Sequence, residues 1–156
     1  MGFTLIECLA TLFCIAVLAA LALGSNMAWL SHQQTTIIID KLVHDLKFAR
    51  QQAILRQSIV TVCPTIDLEH CGSAEAWPLG YLVFVDPTGK GVFTAGTTDK
   101  LQSATLMGAG KLSNSRNYVQ FDSNGFARAT NSTFIYSLNE HIQKVIINLQ
   151  GRIRVE

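Results

Sequence analysis

The residues best placed to do chemistry lie near the end of the chain, in Gly151-Arg152-Ile153-Arg154. In an extended strand Arg152 and Arg154 project to one side and Ile153 to the other. Ile153 can then bury while two guanidiniums face out about 7 Å apart, near the phosphate spacing along one nucleic-acid strand. Each guanidinium is a planar fork of donors suited to phosphate oxygens. Gly151 would let the backbone turn, or approach a phosphate closely. Lys144, with Lys111, Arg116 and Arg128, could widen the patch. Charge is distributed accordingly. Residues 58–99 carry one base against five acids, net −4, and residues 100–156 carry seven bases against three acids, net +4. A polyanion would prefer the second half. A terminal strand with a merely solvated charged face is the plainer reading of the same residues.

Signatures of catalysis are missing. The chain has no Gly-x-Ser-x-Gly, no Walker loop, no His-Glu-x-x-His and no dinucleotide fingerprint. His32, His44, His70 and His141 are scattered, and the carboxylates form no evident acid/base pair. No catalytic residue, cofactor or metal is therefore expected. A zinc site at His70 and Cys71 is the one metal reading to weigh, and its spacing is wrong for common sites.

The elements that must position these residues follow from periodicity. From Cys8 to Leu23 the chain is an apolar run in which only Thr11 is conventionally polar. A helix from Phe3 to Leu23 would rise roughly 31 Å, the thickness of a bilayer's hydrocarbon core. Glu7 sits inside it, where a charge is costly and usually marks function. Beyond a soft spot at Gly24-Ser25-Asn26, the residues Ile38, Leu42, Leu46, Ala49 and Ala53 recur at three- and four-residue steps, one face of an amphipathic helix. Asp40, Lys41, Asp45, Lys47 and Arg50 decorate the rest. The expectation is one helix from Phe3 to about Gln57.

The pattern then changes to period two. Strands are expected at Ser58–Cys63, Tyr81–Asp86, Val92–Ala95, Leu101–Met107, Tyr118–Asp122, Phe126–Ala129, Thr133–Ser137, Lys144–Leu149 and Arg152–Val155. Pro87-Thr88-Gly89-Lys90-Gly91 and Asn124-Gly125 read as hairpin turns, Thr65–Pro78 as a loop, and Gly108–Ser115 as a flexible one. One long helix followed by antiparallel strands is an α+β arrangement.

Three stretches carry a family resemblance: Gly2-Phe3-Thr4-Leu5-Ile6-Glu7, the segment Trp77 to Asp86, and the segment Val145 to Arg154. Their order and spacing resemble the GspH/FimT branch of type IV pilin-like proteins over essentially the whole chain. The resemblance implies a type IV pilin fold, a long helix packed on an antiparallel sheet. It implies a leader at residues 1–2, a membrane or filament-core half-helix at 3–28, an amphipathic half at 29–57 and a β-rich globular part at 58–156. A prepilin peptidase would cut after Gly2 and Phe3 would be N-methylated. Glu7 would neutralise the terminal amine of a neighbouring subunit in the filament. The leader lacks the Lys or Arg usual in the family, so it extends further upstream or orientation rests on later charges such as Lys41 and Lys47. A plain signal anchor is the alternative.

The resemblance also places the chain in the inner membrane as a single-pass protein with a periplasmic globular part, and later in a pilus at the cell surface. In an oxidising periplasm Cys63 and Cys71 are expected to pair and close a short loop, whereas Cys8 and Cys14 act as small apolar residues. FimT-type pilins of transformable bacteria are associated with DNA capture through a Gly-Arg-x-Arg tail, which reads here Gly151-Arg152-Ile153-Arg154. The implied partners are double-stranded DNA, bound by its phosphates, and other major and minor pilins. The alternatives are a structural pseudopilin of a type II secretion system and a subunit that primes pilus assembly.

Overall fold

A computed structural model describes residues 4–23, 26–96, 98–106, 110–128, 131–139 and 141–156, with side chains described outside residues 21–30. The cut after Gly2, the freed Phe3, the soft spot at Gly24-Ser25 and the tip Gly108-Ala109 lie outside the described residues.

Two helical segments come first, α1 (Leu5–Leu23) and α2 (Asn26–Arg56). Glu7 closes back on Thr4 at the start of α1, which is one half of a capping box: its carboxylate accepts the Thr4 N–H and hydroxyl at 3.0 Å each, satisfying a donor the helix cannot use, while the Glu7 N–H goes to the Thr4 carbonyl at 3.1 Å. The side chains from Leu5 to Ala20 are exposed. Among the described residues no helix is long and apolar enough to cross a membrane. The nearest to it, α1, rises about 28 Å over its 19 residues, just under the hydrocarbon core.

The inward face of α2 follows the expected steps: Leu42, Leu46, Ala49 and Ala53 are fully buried. Ile38, expected on this face, is half-buried against the core with Ile39 buried beside it, and Ser31 and Thr35 continue the face in polar form. One assignment needs correction. Asp45 does not decorate the surface. It is 2 % exposed, and its carboxylate accepts from Tyr81 Oη at 2.6 Å and from Gln102 Nε2 at 2.8 Å. Two neutral donors compensate the burial of a charge that could not stand alone in the core. Burial, with the Asp45 hydrogen bond and charge, pushes the Tyr81 phenol far above its ordinary range.

Among the described residues the strands form two antiparallel four-stranded sheets rather than one. The first runs β3 (Lys100–Thr105), β2 (Gly80–Val85), β1 (Val60–Pro64), β5 (Val119–Phe121); the second runs β4 (Lys111–Asn114), β6 (Ser132–Leu138), β7 (His141–Ile147), β8 (Ile153–Val155). α2 packs against strands of both, and a single core joins its apolar face to Trp77, Tyr81, Val83, Phe121, Phe134, Val145 and Ile147. Trp77 links the sheets, edge-on to Phe134 at 4.9 Å with its indole N–H on the Arg116 carbonyl at 2.7 Å.

The first sheet is buried on both faces. Cys63, Leu82, Phe84 and Phe93 form a second cluster on its far side, so β1 and β2 are buried almost continuously. The second sheet alternates, buried then open, along β6 and β7. Nothing among the described residues covers its outer face.

Three other expectations change. Val92–Ala95 is not the hairpin partner of β2; that place belongs to β3. Asp86 captures the intervening turn, accepting from Thr88 Oγ1 and from the N–H groups of Lys90 and Gly91. The chain swings away and Phe93 drops into the second cluster. Lys111–Asn114, expected within a flexible loop, is strand β4, paired with β6. The segment after Asn124-Gly125 is not a strand, and meets β5 only through an isolated Phe121–Ala127 bridge. The expected cysteine pair is present: Cys63 and Cys71 are joined.

Candidate nucleic-acid interface

β7 and β8 are joined by a hairpin loop, Leu149-Gln150-Gly151. Its stem is closed by Asn148 and Arg152: the Asn148 N–H donates to the Arg152 carbonyl at 3.1 Å, and the Arg152 N–H to Asn148 Oδ1 at 2.8 Å. Gly151 has φ +72, the left-handed conformation that such a three-residue loop needs in its last residue. It is buried, and a Cβ there would stand 2.1 Å from the Gly125 carbonyl oxygen. Gly151 therefore serves the turn and a close approach of two loops. Its N–H is bonded to the Asn148 carbonyl at 2.9 Å.

Arg50, on α2, fixes both loops. Its Nε donates to the Gly125 carbonyl at 2.8 Å and its Nη2 to the Gln150 carbonyl at 3.2 Å. The Ala127 N–H adds a bond to the Leu149 carbonyl at 3.0 Å. Reading the sequence missed this role. Arg50 lies 75 and 100 residues from its partners, and no local pattern marks it.

Register then places the cations. β8 pairs with β7 as Ile153↔Ile147, Arg154↔Ile146 and Val155↔Val145. Ile153 lies on the face of the buried Ile147 and packs on the core. Arg152 and Arg154 are exposed on the opposite, open face, as the alternation predicts. Lys144 shares that face, and so does Lys111 on β4, opposite Ser137 of β6. All four are exposed, and among the described residues none of them forms an ion pair. Among the described residues Glu156 is the acid of the group. It exchanges two backbone hydrogen bonds with Lys144, at 2.7 and 2.8 Å, and so stands directly across from it. Ile142, 61 % exposed, and Ile135 add apolar area between the cations.

Arg116 and Arg128 belong elsewhere. With Ser115, Asn117, Tyr118 and Gln120 they line a depression of about 340 Å³ beside β5. The Arg128 guanidinium lies over Gly89, where a Cβ would stand 2.2 Å from its Nη1. The six expected cations thus divide into a group of four on the second sheet and a pair beside the first. Among the described residues no three His, Cys, Asp or Glu side chains converge on a metal position.

A family model described as Type II transport protein GspH matches residues 39–151. No curated protein matches the chain. Among solved structures, the chain is similar to the type IV minor pilin FimU of Pseudomonas aeruginosa strain PAO1, with a TM-score of 0.63 and 18 % identity over 80 % of this chain and 90 % of that one. A second crystal form of FimU gives 0.59 and 19 %, over 78 % and 91 %. The minor pseudopilin EpsH from the Type 2 Secretion System of Vibrio cholerae gives 0.53 and 15 %, over 78 % and 94 %. At such identities the likeness to FimU and EpsH is one of fold. The family match spans more than two thirds of the sequence, and the chain belongs to the GspH family of minor pilins and pseudopilins.

Proposed function

We propose that this chain is a minor type IV pilin that binds extracellular double-stranded DNA without sequence preference and supports its uptake in natural transformation. One observation supports the reading above the others: Arg152 and Arg154 stand exposed on the open face of the second sheet, without carboxylate partners among the described residues, beside Lys144 and Lys111. A prepilin peptidase cuts after Gly2 and Phe3 is methylated. The exposed apolar side chains of α1 need lipid before assembly and neighbouring subunits afterwards. In the filament core Glu7 exchanges its bond to Thr4 for the terminal amine of a neighbour. The globular part faces the periplasm, then the cell exterior.

The test is a titration of duplex DNA by fluorescence anisotropy between 50 and 200 mM salt. Four phosphate contacts give a slope of about −3.6 in log affinity against log salt, a loss of about 150-fold over that range. With Arg152 and Arg154 changed to Gln, two contacts remain and the loss falls to about 12-fold. Both arginines are exposed, so the melting temperature should not move. Affinity independent of salt, or unchanged in the double variant, overturns the proposal.

A second reading rests on Ile142 and Ile135, apolar area on the same face. There the face docks another pilin subunit, as a structural secretion pseudopilin or an assembly primer would require. In that case the arginine variants weaken subunit pairing and leave no DNA affinity to lose.

A further inference from the structure

We propose that His32 and His141 form a two-histidine site for a borderline divalent cation such as zinc or nickel. His32 is exposed on α2, and His141 is half-buried as the first residue of β7. Their rings lie 5.7 Å apart, centre to centre, with planes at 85°. Zinc sits about 2.0–2.1 Å from an imidazole nitrogen, and that nitrogen lies about 1.1 Å from the ring centre. Two imidazoles sharing one tetrahedral cation therefore hold their centres roughly 5–5.5 Å apart. The centres stand close to that separation, and because the rings meet edge to face, rotation about the side-chain torsions must turn one nitrogen of each onto the shared cation.

The other histidines lack this arrangement. His70 is tied through Nδ1 to Asp67 at 2.7 Å, and His44 has no ring neighbour among the described residues. With no third His, Cys, Asp or Glu converging among the described residues, water completes the shell. Such a site is exchangeable, unlike a closed structural one. Nitrogen donors select zinc, nickel or copper over magnesium and calcium, which take oxygen ligands.

The location gives binding a consequence. Near His32, α2 presents Ser31 and Thr35 to the interior, whereas further along it presents Leu42 and Leu46. Among the described side chains the inward face of α2 is polar where the ring pair bridges it to the start of β7. A bound cation would clip the helix to the second sheet there, and binding only the folded form would stabilise it.

The experiment uses the untagged full chain in non-ionic detergent, titrated calorimetrically with zinc chloride, nickel chloride and magnesium chloride. Zinc and nickel should bind one to one, and magnesium should give no heat. His32→Ala and His141→Ala should each weaken zinc at least tenfold, whereas His44→Ala should not. Metal-free melting of each variant checks that it folds. Hydrogen exchange on adding zinc should slow around His32 and at the start of β7. Zinc binding unaltered by either substitution, lost equally in His44→Ala, or absent from the folded parent chain overturns the site.

Discussion

Replacing Gly151 by Ala tests the idea that two loops pinned by one arginine hold the basic tail in place. Gly96 supplies the control. Both glycines have positive φ, +72 and +85, but a Cβ at Gly96 meets nothing within 4 Å. Gly96→Ala should therefore cost only the left-handed backbone, about 1 kcal/mol. At Gly151 the same backbone cost applies, and the new Cβ lies 2.1 Å from the Gly125 oxygen and 2.9 Å from Arg50 Nε. Ordinary contact begins at 3.4 Å, so the loops must separate by 1.3 Å at that point. The bonds from Arg50 to Gly125 and Gln150, at 2.8 and 3.2 Å, span that same junction. Hydrogen bonds from a charged donor contribute about 1.5–3 kcal/mol each, and the lower value suits a half-buried arginine. Losing the shorter bond and weakening the longer brings the total to about 3–4 kcal/mol, or roughly 12–16 °C in melting temperature against about 4 °C for the control. Thermal denaturation of both variants, in the detergent used for the parent, reads the difference directly. If Gly151→Ala melts no lower than Gly96→Ala, the junction is slack and Arg50 does not brace the tail.

Asp86→Asn should destabilise the chain by about 3 kcal/mol, measured by chemical denaturation, because an amide nitrogen would face donors that now share a buried carboxylate. Burial opposes ionisation of Asp86, but donors from Gly91, Thr88, Thr61 and Lys90 outweigh it and hold the carboxyl below its ordinary value. A depressed folded value means that the stabilisation is complete above the unfolded value of about 4 and is lost as pH falls through the folded one. Acid should accordingly erode the parent chain below about pH 4 more steeply than the Asn variant. Reducing the Cys63–Cys71 bond, or replacing both residues with Ser, should cost about 2.5 kcal/mol by the chain-entropy estimate for a loop with a sequence separation of 8. Melting with and without a reductant checks this, and the Ser pair should show no response to the reductant.

Much of this architecture was legible from period alone. The apolar steps of α2 and the alternation of Arg152, Ile153 and Arg154 needed no tertiary information, because each reports a face that local geometry already fixes. The failures have identifiable causes. Asp45 stands three residues after Leu42 and so lies on the buried face by the same helical rule. Its residue type argued for the surface until Tyr81 and Gln102, donors from β2 and β3, were in place. Val92–Ala95 has strand composition, but Asp86 closes its turn onto itself and no ladder forms. β4 sits in a region of Gly, Ser and Asn and acquires its conformation from pairing with β6.

The division of the basic residues into two groups has the same kind of origin. Lys144, Lys111, Arg116 and Arg128 could not be told apart in the sequence as neighbours of the tail, because charge carries no information about which face of which sheet it will occupy. The two sheets differ in cover. Cys63, Leu82, Phe84 and Phe93 close the far side of the first, so a long cation there can lie only along its rim, as Arg128 does over Gly89. Nothing among the described residues covers the second, and each outward position on β4, β7 and β8 can hold a solvated charge at little cost. On that face Glu156 stands across from Lys144 and offsets much of its field, whereas Arg154 faces Ile146 and Arg152 faces Asn148. The positive potential is thus concentrated at the end of β8 nearest the Gly151 turn. That end is also the one Arg50 ties down through the Gly125 and Gln150 carbonyls, so the braced part of the tail is the part with the most uncompensated charge.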